Sequence, residues 1–144
     1  MSINRSKSTI YSSNLINIYK KIGDDYILHG KINNVESHGN NSNAMSKISD
    51  NLFCSGGKNG LIYIVSVESV EVIQKINLSN EENSFDYVRF LHNSNDGYIF
   101  TSFNNKIIQF KIVVDDEGNF KKLKKFDEID DKENNNAIIT TDNG

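Results

Sequence analysis

The residues that could do chemistry in this chain are three histidines, one cysteine, an acidic cluster, a glycine-rich turn and a run of lysines. His29, His38 and His92 share no short spacing with one another or with Cys54. A zinc site needs such ligands gathered into tetrahedral geometry, and these would have to converge from separate loops. Sitting next to turn residues, they read as solvent-facing loop histidines. Cys54 lies between Phe53 and Ser55 in an expected inner strand with no base beside it, so it reads as a small buried hydrophobe and not as a nucleophile. A lone cysteine also excludes an internal disulfide framework and a multi-thiol metal site. Asp115-Asp116-Glu117 followed by Gly118 lacks the alternating ligands and closing Glu of a calcium loop, and a hairpin turn is expected there. In Ser55-Gly56-Gly57-Lys58-Asn59-Gly60 the lysine is not followed by Ser or Thr. An apolar strand also follows where a phosphate-binding loop needs a helix, so this too is a hairpin turn. No catalytic, cofactor-binding or metal residue is assigned, and no cofactor is expected.

The lysines are the one surface feature that stands out. Lys121, Lys122, Lys124 and Lys125 interleave with Phe120, Leu123 and Phe126. A lysine-rich edge strand resists edge-to-edge pairing, and that is the expected role. The functional alternative is a docking patch for an acidic partner or a lipid surface, weakened by the neighbouring Asp127, Glu128, Asp130 and Asp131.

The elements that must position these residues follow from composition and pattern. The chain has 144 residues, 37% of them apolar, and a net charge of −3 from 16 Lys+Arg against 19 Asp+Glu. That is one domain's worth of chain, and the missing basic excess disfavours nucleic acid as the main ligand. Asparagines come in runs such as Asn33-Asn34, Asn104-Asn105 and Asn134-Asn135-Asn136, which suits turns better than element interiors. Proline is absent, so Gly, Asn, Asp and Ser must make the turns. The N-terminus carries no apolar signal segment, and no run approaches a membrane span. A soluble intracellular protein, cytoplasmic or nuclear, is the plain expectation.

Short strand-like segments recur at 15–19, 26–28, 52–55, 61–67, 70–76, 87–91, 98–102, 106–114 and 137–140, each bounded by turn residues. Residues 120–126 are the best helical candidate and are too short to stand alone. An all-β chain is expected. The segments 14–21, 60–67 and 105–112 align without gaps. Each begins with a turn residue, and the apolar positions Tyr19, Val65 and Phe110 recur 46 and 45 residues apart. A period of about 40–50 residues with four short strands per unit is the mark of a propeller blade, because a four-stranded sheet cannot bury both faces alone.

These units resemble WD repeats. Asn59-Gly60 and Asn104-Asn105 match the family's turn, Ser55-Gly56-Gly57 its small-residue strand, and Ser37-His38-Gly39 loosely its Gly-His element. Tyr19, Val65 and Phe110 stand where the family has Trp, and Lys20, Ser66 and Lys111 where it has Asp; the chain has no Trp. The buried Trp-centred hydrogen-bond network of the family is therefore not carried over, and the repeat is a divergent one. The resemblance implies antiparallel four-stranded blades of a β-propeller, about two complete plus flanking partial ones. The units are 1–32 (partial), 33–78, 79–129 and 130–144 (start of the next). It further implies a non-catalytic scaffold that binds proteins or peptides within a larger complex. The alternatives are a fragment of a propeller-type hydrolase or lyase, and a stand-alone small β-sandwich.

Propellers close with about 4–8 blades, so the chain is expected to be part of a longer one or to cover its open blade faces by self-association. Ile16, Ile18 and Tyr19 are expected on one open face. Ile62, Ile64, Ile107 and Phe110 are expected to be buried, and Asn59-Gly60 and Asn104-Asn105 to turn tight hairpins.

Overall fold

A computed structural model describes residues 2–4, 15–33, 35, 44–80 and 87–131. The described residues contain strands and turns and no helix. Among these residues eleven strands form three antiparallel sheets. The first holds β1 (Ser2–Asn4), β2 (Leu15–Ile22) and β3 (Asp25–Asn33). The second holds β4 (Met45–Lys47), β5 (Leu52–Gly56), β6 (Leu61–Ser66) and β7 (Glu71–Asn77). The third holds β8 (Leu91–Asn93), β9 (Tyr98–Phe103), β10 (Lys106–Val114) and β11 (Phe120–Asp130). Within each sheet every strand pairs with its neighbour in sequence, which short turns make easy.

The turns form where the sequence supplies residues that tolerate positive φ. Asn59 and Gly60 have φ of 60° and 70°, Asn104 and Asn105 50° and 56°. Two successive positive φ values give the hairpin turn whose twist matches its strands, and these join β5 to β6 and β9 to β10. The acidic cluster also turns a hairpin. The Asp115 carboxylate accepts from the amides of Glu117 and Asn119, each at 2.9 Å, and Gly118 sits at φ 85°.

The sheets stack face to face around two cores. Ile16, Ile18 and Ile32 of the first sheet meet Phe53, Leu61, Tyr63 and Val65 of the second. Cys54, Ile62 and Ile64, on the opposite face of the second sheet, meet Ile99, Phe103, Ile108, Phe110 and Leu123 of the third. β5 and β6 are consequently buried at every position. Two close contacts fix the spacing of the layers. A Cβ on Gly56 would fall 2.3 Å from Val88 Cγ1, and one on Gly30 would fall 2.5 Å from Val70 Cγ1. Val70 itself holds φ 58°, a costly conformation for a β-branched residue, and its side chain packs on the first core.

The repeat is visible as a shared irregularity. β2, β6 and β10 each lie between the strands before and after them, and each has a register shift against the following strand. The shifts fall at Ile18/Tyr19, Ile64/Val65 and Gln109/Phe110. These β-bulges recur 46 and 45 residues apart, at the positions aligned from the sequence. They leave His29, Ile73 and Phe126 as the extra residues on β3, β7 and β11.

Several expectations need correction. Ile107 is half-buried, not buried. Alternation along β10 sends Ile108 and Phe110 into the second core and Ile107 to the other side, where no described sheet lies. Ile16 and Ile18 are fully buried because alternation points them at the second sheet; of the expected open-face trio only Tyr19 stays outside. Residues 120–126 do form the expected lysine-rich edge strand, since β10 offers a full-length partner across the Asp115 turn. Tyr87 makes only an isolated bridge to Lys58, so β8 begins at Leu91. Val70 belongs to the turn before β7. The strand expected at 137–140 lies outside the described residues.

Candidate functional site

The candidate chemical residues are not gathered. His29 is the extra residue of the β3 bulge and exposed, while His92 lies on β8 and is half-buried. Both are strand residues, not loop residues, and His38 lies outside the described residues. Among the described residues no cluster of three His, Cys, Asp or Glu could hold a metal ion. Cys54 is fully buried, and its Sγ donates to the Ser46 carbonyl at 3.4 Å. Burial pushes its thiol pKa up to about 12, so at neutral pH it is a protonated core side chain. The residues 55–60 make a turn that closes on itself, with Gly57 N donating to Leu61 O at 2.9 Å.

The lysines lie on β11, which is an edge strand. They do not make one patch. Lys122 and Lys124 sit opposite Val113 and Lys111 and face away from the second core. Lys125 sits opposite Phe110 on the core side, and Lys121 is left out of register at a second irregularity. Lys125 and Lys106 both pair with Glu128, the latter at 2.9 Å. Hydrogen bonds from Lys125 and then Lys106 hold the Glu128 carboxyl below its usual pKa, and Glu128 raises that of Lys106.

These three charged residues rim a groove of about 550 Å³ between the end of β7 and the β10–β11 pair, floored by Ile76, Phe103 and Phe110. Its size falls in the range of ordinary ligand clefts, and its chemistry suits an apolar segment bearing a charge. Beside it the Gln74 side chain of β7 bonds both backbone groups of Leu123. Its Nε2 donates to the carbonyl at 2.9 Å, and its Oε1 accepts from the amide at 2.8 Å. Gln74 thus occupies backbone groups on the free edge of β11 that another strand could have taken. No local pattern announces this clamp, because its two residues lie 49 apart in the chain.

Most of the exposed large apolar side chains among the described residues lie on the last strand of each sheet, with Ile22 on β2 and Val114 on β10 besides. Tyr26, Ile27 and Leu28 on β3, Val72 and Ile73 on β7, and Phe126 and Ile129 on β11 are all exposed. Two of the three bulge residues, Ile73 and Phe126, belong to this set. Tyr98 and Phe126 are in ring contact at 5.5 Å between centroids. Exposed apolar side chains on sheet edges are candidates for interaction surfaces where they form a contiguous patch. Among the described residues no helix is long and apolar enough to cross a membrane.

Compared with known protein families, characterised proteins and solved structures, the chain matches none of them significantly.

Proposed function

We propose that this protein is a non-catalytic interaction scaffold, built as part of a divergent WD-type β-propeller, that binds proteins or peptides of a larger complex. The blade reading is supported by the 46- and 45-residue recurrence of one strand with one bulge, together with face-to-face stacking of three sheets. A stand-alone β-sandwich has two layers, whereas here the second sheet has a layer on each side.

The observation that carries the binding role is the apolar exposure of β3, β7 and β11. These strands can contact a partner without moving the cores, since their exposed side chains contribute little to either. The test is to fix the chain to a support and compare the proteins retained by three versions. Wild type and the Lys122→Glu/Lys124→Glu variant should retain the same set, and Ile73→Asp/Phe126→Asp should lose it. Equal retention by all three, or a loss confined to the lysine variant, would contradict the assignment of the surface.

A further inference from the structure

β11 carries its charges in two blocks of opposite sign. Lys121, Lys122, Lys124 and Lys125 fill its first half, and Asp127, Glu128 and Asp130 its second. Phe126, the extra residue of the β11 bulge, stands between them. An antiparallel copy of the strand meets these charges in reverse order, carboxylates against lysines.

The register on β10 shows that this holds on each face separately. Lys124 and Asp127 sit opposite Lys111 and Gln109, on the face turned away from the second core. Lys125 and Glu128 sit opposite Phe110 and Ile108, whose side chains point into that core. The bulge makes this possible, since its extra residue puts side chains three apart on one face. Consider a second copy running antiparallel, with its Glu128 opposite Lys125. Its Lys125 then stands opposite Glu128, and its Asp127 lies one diagonal step from Lys124, within reach of a long side chain. Ammonium meets carboxylate on both faces.

The strand is also exposed. β11 is the last strand of its sheet, and every position from Lys124 to Asp130 is exposed. Gln74 takes the backbone of Leu123, so the length left to a partner strand begins at Lys124, where the complementary pattern lies. In the single chain Glu128 accepts from Lys125 and Lys106. Exposed pairs of this kind hold weakly, so Lys125 can exchange its own Glu128 for that of a second copy. Lysines on an edge discourage most strands from pairing there. The carboxylates that follow them lift this obstacle for one partner, another β11.

We propose that the protein forms a symmetric dimer by antiparallel pairing of two β11 strands, joining two four-stranded sheets into one. Both copies use the same surface, so the contact closes at two. Strand addition at an edge draws affinity from backbone hydrogen bonds and selectivity from side chains. The scaffold reading concerns other proteins as partners, and this inference goes beyond it.

Charge reversal tests it in the intact chain. Sedimentation velocity at low salt should show a monomer–dimer equilibrium that shifts toward monomer as salt is raised. Lys124→Glu/Lys125→Glu makes the exposed stretch acidic, and Asp127→Lys/Glu128→Lys makes it basic as far as Ile129. Each variant alone should associate about tenfold more weakly or less, because like charges then face each other. Their equimolar mixture should regain a dimer containing one of each. All four residues are exposed, so both variants should keep the wild-type circular dichroism and unfolding transition. A wild type that stays monomeric across the accessible concentrations overturns the proposal, as does wild-type association in either variant. Loss in both variants without rescue in the mixture overturns it too, since a self-complementary strand requires the rescue. These substitutions leave Ile73 and Phe126 in place, so retention of other proteins by those residues stands or falls separately.

Discussion

β6 and β10 are the same strand 45 residues apart, and they live in different surroundings. β6 is buried at all six positions, while β10 is buried only at Ile108 and Phe110. Ile62 is fully buried and Ile107, its counterpart, is only half-buried. Their sequences do not explain this, since both are isoleucines preceded by a tight turn. Among the described residues the second sheet has a neighbour on each side and the third has one on one side only. Burial here belongs to the stack, and a strand acquires it from the layers that flank it.

The largest expected effect separates the two sides of β10. Phe110→Ala should cost about 3–5 kcal/mol, since it opens a cavity in the second core, and Ile107→Ala only about 1 kcal/mol, in line with its partial burial. Urea unfolding midpoints would measure both, and equal losses would mean that the Ile107 side of β10 is covered after all. Next in size is Gly56→Ala. Its Cβ has nowhere to go beside Val88 and Ala44, and overpacking of this kind costs about 1–3 kcal/mol. A neutral result would show that the layers are looser than drawn.

A smaller effect compares two turns. Gly60 and Asn105 occupy equivalent places, but a Cβ at Gly60 would lie 2.7 Å from the Phe103 ring. Gly60→Asn should therefore destabilise by about 1 kcal/mol although asparagine accepts the backbone conformation. Asn105→Gly, freed of its αL strain, should change stability by less than about 0.5 kcal/mol. Thermal unfolding of the two variants would check the contrast.

The smallest effect is electrostatic. The amides of the 115–119 turn, that of Asn119 first, lower the Asp115 pKa, and the hydrogen bond from Lys125 lowers that of Glu128. Groups with depressed folded pKa values stabilise above their unfolded pKa of about 4, and that contribution is lost as pH falls through the folded value. Lys106 works in the opposite sense: its raised pKa stabilises below about 10.4 and is lost at more alkaline pH. All three groups are at the surface, so solvent screens the effect. Asp115→Asn should narrow the stability difference between pH 6 and pH 3 slightly, leaving the pH 6–9 range flat.

Much of the local structure was legible in the sequence. Asn59-Gly60 and Asn104-Asn105 declared their turns through residues that accept positive φ, and 106–114 declared a strand through an unbroken apolar run between turn residues. Cys54 read as buried from its apolar flank and proved so. What failed was anything set by the stack. Ile107 was expected inside and Ile16 and Ile18 outside, because alternation tells which residues share a face but not which face is covered. The Gln74 clamp on Leu123 and the groove rimmed by Lys106, Lys125 and Glu128 join residues far apart in the chain, so no local pattern announced them.

The central claim is that a middle sheet lies covered on both faces between two others. Native-state amide hydrogen exchange tests it most directly, because protection follows burial and local stability. The account predicts that the paired amides of β5 and β6 exchange slowest, at the rate set by global unfolding. The β10 and β9 amides should follow, and residues 25–29 of β3 and 124–130 of β11 should exchange faster. Exchange in β5 and β6 as fast as in those two edge strands would contradict the stacked arrangement.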